Sequence, residues 1–196
     1  MRESILLGAV FFALTLVTAC NGKPQSHWSI AQLECSFIDE VSGGGFGSVF
    51  PGSSGTLMKP KLDSQTILQV VATFSTDLEE PPWIYLRDVF LDASTMGTQA
   101  GDTIQPVAFG SAADGICSYI ILDDFMVMVF SQAGFAVKKE GITMYEVGHE
   151  KEDGPLRIRF AGTSSRFCFA FVVPKNRDSH VFHFADAVAP IRISSR

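Results

Sequence analysis

Leu156-Arg157-Ile158-Arg159-Phe160 and Phe167-Cys168-Phe169-Ala170-Phe171-Val172 are the two stretches that decide the structural class of this chain. Successive side chains of an extended strand point to opposite faces, so a hydrophobic period of two marks a strand. In the first stretch Leu156, Ile158 and Phe160 share one face and the two arginines take the other, which describes a strand with one dry side and one wet side. In the second the phenylalanines alternate with Cys168, Ala170 and Val172. Both faces are apolar, as expected of a central strand covered on both sides.

The same period recurs outward from these two. Phe182 and Phe184 repeat it after the polar turn Pro174-Lys175-Asn176-Arg177-Asp178-Ser179, and Pro190-Ile191-Arg192-Ile193 alternates again. Upstream, Ile142–Val147 and Leu156–Phe160 flank a charged loop that runs from His149 to Gly154 and reads as a hairpin. Ile116–Leu122 and Phe125–Phe130 are apolar runs separated by Asp123-Asp124, a turn-forming pair. Thr66–Phe74 is rich in β-branched residues. Ser29–Phe37 places Ala31, Leu33, Cys35 and Phe37 on one face. Trp83–Leu91 is ambiguous: Pro81-Pro82 with preceding acids suits the start of a short helix, whereas β-branched and aromatic content favours a strand. Residues 42–55, SGGGFGSVFPGSSG, hold six glycines in 14 positions and read as an exposed loop. Ala93–Gly101 is small and polar. The expectation is an all-β chain of about nine short strands and little helix, folded as an antiparallel β-sandwich or jelly roll.

The N-terminus carries a different signal. Met1-Arg2-Glu3-Ser4 is polar, and Ile5–Val17 is then free of charge for 13 residues. At ~1.5 Å per helical residue this run covers about 20 Å, short of a hydrocarbon core of about 30 Å. So short a run, close to the start and followed by small residues, reads as the apolar region of a secretory leader. Val17-Thr18-Ala19-Cys20 resembles the lipobox of bacterial lipoproteins: a branched apolar residue, two small ones, then the cysteine. The resemblance implies a diacylglycerol thioether on Cys20, cleavage before it and acylation of the new amino terminus. It also implies a place in the bacterial cell envelope, and, because Asn21 is not aspartate, the outer membrane for a Gram-negative source. The alternative is ordinary leader cleavage with Cys20 unmodified. Residues 1–19 are therefore expected as a leader, 20–28 as a tether and 29–196 as a single domain.

Removing 19 of the 196 residues leaves 177, enough for one ordinary domain. The leader takes with it Arg2 and Glu3, so the net charge of −6 is unchanged. There is no basic patch to hold phosphates, and nucleic acid is not an expected partner. Membrane attachment falls to the lipid rather than to a polybasic stripe. With Cys20 lipidated, Cys35, Cys117 and Cys168 remain, enough for one disulfide in an oxidising compartment. Cys117–Cys168 is the pairing expected if one forms; three buried thiols acting as small hydrophobes is the competing expectation.

Candidate chemistry is thin. His180 and His183 lie three apart on a strand, so they point to opposite faces and are not expected to hold one metal. His149 sits among Glu150, Glu152 and Asp153 without the spacing of a calcium loop. Asp88, Asp92, Asp123 and Asp124 are the acids available for glycoside hydrolysis, which needs two carboxyls about 5–10 Å apart. Gly45-Phe46-Gly47-Ser48 and Gly110-Ser111 do not form a nucleophile elbow. Trp28, Trp83 and Tyr85 can offer stacking surfaces to a sugar or peptide, or simply pack in the core. No cofactor is expected. The leading expectation is a lipid-anchored, non-catalytic β-sandwich that binds a protein partner or a glycan or assists envelope assembly. A carboxylate hydrolase and a purely structural surface protein are the alternatives. Metabolic labelling with palmitate tests the anchor: the native chain is expected to take up label and Cys20→Ala to lose it, whereas an unlabelled native chain retires the lipid.

Overall fold

Ser164–Pro174, the strand that carries the phenylalanine stripe, lies at the middle of the largest sheet and is buried on both faces from Phe167 to Phe171. The computed structural model describes residues 27–43, 56–92, 103–122, 135–139, 142–149, 154–177 and 179–192. The leader, Cys20, most of the tether, residues 44–55 and 93–102, Asp123, Asp124 and Phe125–Phe130 lie outside the described residues.

In chain order the strands are β1 (Trp28–Ile38), β2 (Val41–Gly43), β3 (Thr56–Met58), β4 (Gln65–Thr76), β5 (Ile84–Tyr85), β6 (Val89–Asp92), β7 (Thr103–Ile104) and β8 (Ala108–Ala113). Then come β9 (Ile116–Ile121), β10 (Phe135–Lys139), β11 (Ile142–His149), β12 (Leu156–Phe160), β13 (Ser164–Pro174), β14 (Ser179–Phe184) and β15 (Ala187–Arg192). A 3-10 turn at Leu86–Asp88 is the only helical element among the described residues. The all-β expectation holds, with fifteen strands among the described residues in place of about nine. The excess comes from short pieces, such as β5 and β7, that no periodicity can announce.

Three sheets form. The first has the order β1-β4-β13-β8-β9-β2-β3, the second β10-β11-β12-β5 and the third β15-β14-β6-β7. Pairing is antiparallel throughout except for one parallel contact of β2 with β9 at Gly43 and Tyr119. The two smaller sheets cover one face of the large one. Their common core joins Phe74, Phe109, Phe167, Phe169 and Phe171 from the large sheet, Tyr145, Val147, Ile158 and Phe160 from the second, and Val89, Leu91, Phe182 and Phe184 from the third. Phe74 sits at the junction, stacked 3.8 Å from Phe184 and 6.0 Å from Phe160 between ring centroids. The Trp83–Leu91 stretch proves to be neither one helix nor one strand. It runs along the second sheet as β5, turns through Leu86–Asp88 and enters the third sheet as β6.

Several sequence expectations change in detail. The first strand begins at Trp28, one residue inside the expected tether, and the indole is only 4% exposed. A bulge between Ile30 and Gln32 leaves Ala31 exposed. Trp28 and Ile30 face inward before it, and Leu33, Cys35 and Phe37 after it, so the extra residue resets the parity of the face. The glycine-rich stretch starts later than expected, because Val41–Gly43 pairs with Thr56–Met58 across it. Arg157 and Arg159 are half-buried rather than washed by solvent.

A second apolar cluster lies on the other face of the large sheet, with Ile67, Ala108, Tyr119, Ile121, Cys168 and Ala170 among its members. The sheet curls to make it. Gln69 on β4 donates a 2.8 Å bond to Cys117 Sγ on β9, although β13 and β8 separate those strands in the sheet. Gly110 permits the curl, since a Cβ there would lie 1.8 Å from the Ser118 carbonyl oxygen.

Two hairpin turns use positive φ. Asp114-Gly115, at 51° and 78°, joins β8 to β9. Ala185, at 52°, joins β14 to β15. A left-handed alanine costs roughly 1 kcal/mol relative to glycine. Ala185→Gly is therefore expected to stabilise the chain by about 1 kcal/mol in urea titration, and Phe74→Ala to destabilise it by about 3–5 kcal/mol.

Candidate functional site

A cleft that gathers three of the sequence-derived candidates, Trp28, Trp83 and Asp88, lies where the second and third sheets meet. Pro82 holds φ fixed just before β5 and delivers Trp83 and Ile84 to one wall. The turn after β5 presents Asp88, and β6 adds Phe90. The β14–β15 turn adds Ala185 and Asp186 beside them, and His27 and Trp28 complete the lining. The cleft is open to solvent and has a volume of about 370 Å³, within the usual range of roughly 300–1,000 Å³ for small-molecule sites.

Each wall is braced. The Ala185 N–H donates to the Asp88 carbonyl oxygen at 3.0 Å, tying the turn to β6. The His27 N–H donates to Asp186 Oδ2 at 2.6 Å, which latches the start of β1 onto the same turn. His27 Nδ1 stands 4.0 Å from Asp77 Oδ1. Trp28 packs edge-on against Phe160 and Phe184, each 5.5 Å away, so its ring belongs to the core and only its rim to the cleft.

Trp83 is the most elaborated side chain of the site. Arg157 and Arg159 alternate outward on β12, and their guanidinium carbons lie 4.4 and 5.0 Å from the Trp83 ring centre. A cation near an aromatic face is attracted by the ring quadrupole, with about 0.5–2 kcal/mol per contact. Arg159 in turn donates to Glu146 at 3.1 Å through Nε and at 2.6 Å through Nη2. The indole is thus held by two arginines, one of them anchored. Next to Arg159, Glu79, Glu80, Thr143 and Glu146 border a second depression of about 330 Å³.

Of the aromatic candidates, Trp28 and Trp83 share the cleft. Tyr85 does not line it and lies beneath Arg87, 5.0 Å away. Of the acids, Asp88 lines the cleft with Asp186, which sequence reasoning missed, as it missed His27 and Phe90. Nothing local marks Asp186, because its partners lie far away in the chain. Asp92 sits at the end of β6, opposite Val181 and Thr103, outside the cleft. His149 Nδ1 bonds the Gly154 carbonyl within its own hairpin. His180 and His183 project to opposite faces: His180 is 3% exposed, whereas His183 stacks on Phe90 with centroids 4.3 Å apart. Among the described residues no group of three or more histidines, cysteines or acids converges on a metal-sized site.

The cysteines divide sharply. Cys35 is in contact with the first core, and burial pushes its thiol up to about 11. Cys117 and Cys168 are neighbours, both as free thiols. The nearby Cys168 side chain does most to bring the Cys117 thiol down to about 7, followed by Tyr119, Gln69 and the Arg166 charge, against the effect of burial. Cys168 itself is driven upward, chiefly by burial.

No family model matches the chain, and neither does any curated protein or solved structure.

His180 yields a pH prediction. Burial, and then the Arg177 charge, hold it below its ordinary 6.5, and neither ring nitrogen has a hydrogen-bond partner among the described residues. The unfolded chain takes up a proton near 6.5 that the folded chain resists, so this group removes stability as pH falls through that value. Urea midpoints are expected to drop from pH 7 to pH 5, and less steeply in His180→Leu; equal slopes would show that His180 is not the source.

Proposed function

We propose that this chain is an envelope-anchored, non-catalytic binding module whose ligand is a glycan seated in the Trp83–Asp88–Asp186 cleft. The observation that carries the proposal is the composition of that cleft: aromatic surface from Trp83 and Phe90 beside two carboxylates, in a space of about 370 Å³. Apolar sugar faces stack on aromatic rings, and sugar hydroxyls donate to carboxylate oxygens. A rigid scaffold supports such recognition. The two-arginine brace on Trp83 holds the indole before a ligand arrives, which limits the ordering entropy of binding. Attachment through Cys20 would keep the module at a bilayer surface, where envelope polysaccharide is concentrated. Several acyl chains together give stable anchoring where one does not.

A second reading rests on the same two acids. Asp88 and Asp186, which both line the cleft, are residues of the type a glycoside hydrolase uses. The two readings separate on turnover: a binding module leaves its oligosaccharide intact, whereas a hydrolase releases new reducing ends and loses that activity in Asp88→Asn.

Calorimetry against envelope-type oligosaccharides tests the proposal. The native chain is expected to bind, and Trp83→Ala to weaken binding by about tenfold or more, the scale of removing a central aromatic contact. Asp92→Ala, outside the cleft, is expected to bind as the native chain does. Unchanged affinity in Trp83→Ala, or no binding by the native chain, would sink the reading.

A further inference from the structure

Far from the cleft, the curled face of the large sheet brings two sulfur atoms together in a way that glycan binding does not use. Cys168 lies on β13, in register with Gly110 on β8, and Gly110 is in register with Tyr119 on β9. Cys117 lies two residues before Tyr119, on the same face. Gly110 presents no side chain between them, and β9 rolls over the gap. As a result Cys117 reaches both the Cys168 side chain and Gln69 on the far side of β13. We infer that Cys117 and Cys168 form a redox site, closing to an intramolecular disulfide by exchange with a small-molecule disulfide.

The two thiols are suited to different steps. Cys117 is partly exposed and receives a 2.8 Å hydrogen bond from Gln69 Nε2, which stabilises a thiolate. An attacking thiol works best when it ionises near ambient pH, and Cys117, lowered to about 7, meets that condition. Cys168 is buried, and its S–H is directed at the Gly110 carbonyl at 3.3 Å, so it is shielded from solvent oxidants but faces Cys117. The Tyr119 hydroxyl lies beside both sulfurs and has no completed hydrogen bond of its own among the described residues. Cys35, on the opposite face and ionising only near 11, is excluded as the nucleophile.

The exchange balances in two displacements. The Cys117 thiolate attacks one sulfur of the external disulfide; that bond breaks, and one external thiol departs after taking up a proton. Cys168 then gives up its S–H proton to solvent and attacks the Cys117 sulfur, expelling the second external thiol. Two protein thiols become one disulfide, and one external disulfide becomes two thiols.

The test incubates the purified full chain with oxidised glutathione, blocks remaining thiols with iodoacetamide and maps the peptides. Native chain is expected to lose alkylation at Cys117 and Cys168 together, keep it at Cys35, and yield a linked Cys117–Cys168 peptide that dithiothreitol releases. Cys168→Ser is expected to stop halfway, as a glutathione adduct at Cys117, and Cys117→Ser to form no bridge and no adduct at Cys168. A native chain that keeps both thiols alkylatable, or that links either one to Cys35, overturns the inference. So does a folded Cys168→Ser chain with no adduct at Cys117. None of these outcomes depends on whether the cleft binds a glycan.

Discussion

The structure depends on one dry interface, the phenylalanine-lined face of the large sheet against two smaller sheets. Phe74, Phe167, Phe169 and Phe171 supply one side, and Phe160, Phe182 and Phe184 the other; each of these rings is buried to within 1% of full exclusion from solvent. Each large aromatic buries roughly 150–250 Å² and gains a further 0.5–1.5 kcal/mol from edge or offset packing with a neighbour. Phe74 touches rings from both smaller sheets, and those sheets are in turn joined by the β5–Leu86–β6 passage. The second layer is therefore two sheets held edge to edge by a shared floor rather than one continuous sheet.

That division explains the position of the cleft. Where two sheets abut without a shared ladder, their side chains need not interdigitate, and the seam leaves room at the surface. The chain crosses it at Pro82–Asp88 and approaches it again at the Ala185–Asp186 turn, so residues distant in sequence line one cleft. The left-handed Ala185 fits this account. A turn that must place Asp186 within 2.6 Å of the His27 N–H and the Ala185 N–H within 3.0 Å of the Asp88 carbonyl tolerates some backbone strain, because the bonds it makes fix its shape. Strain at such a position is an observation about the cleft's construction, and it coincides with the wall that carries one of its two acids.

Legibility from sequence followed burial. β13 and β12 were readable because one face or both must exclude water, and a period of two is the only way to write that into a strand. The hairpin at His149–Gly154 and the opposite orientations of His180 and His183 follow from the same rule. β8 escaped notice: Ala108-Phe109-Gly110-Ser111-Ala112-Ala113 has little β propensity, and its small residues serve the curl of the sheet, a tertiary demand. Asp114-Gly115 immediately after it is a strong local hairpin signal that would have exposed the pair β8–β9. The bulge at Ala31 is invisible locally, since either parity of β1 offers apolar residues. Of the site, Trp28, Trp83 and Asp88 could be named as residue types suited to recognition, but their convergence with His27, Phe90 and Asp186 depends on strand order, which alternation does not encode.

The two faces of the large sheet carry different physical demands. The inner face is lined by rings too large to leave gaps. The outer face is built around small residues, Ala108, Gly110, Ala112 and Ala170, and two thiols. Small residues let β9 lie close over β8, and a glycine at the crossing removes the one Cβ that would collide with the Ser118 carbonyl. The curl buries Cys168 and Tyr119, and the Tyr119 hydroxyl has no hydrogen-bond partner among the described residues. A buried hydroxyl lacking its hydrogen bond costs about 1–3 kcal/mol. A covalent link between β9 and β13 would hold the curled strand over this face. It would do so by restricting the unfolded chain across the fifty residues that separate Cys117 from Cys168. The two faces thus meet different demands: aromatic rings fill the inner one, and a close strand crossing shapes the outer one.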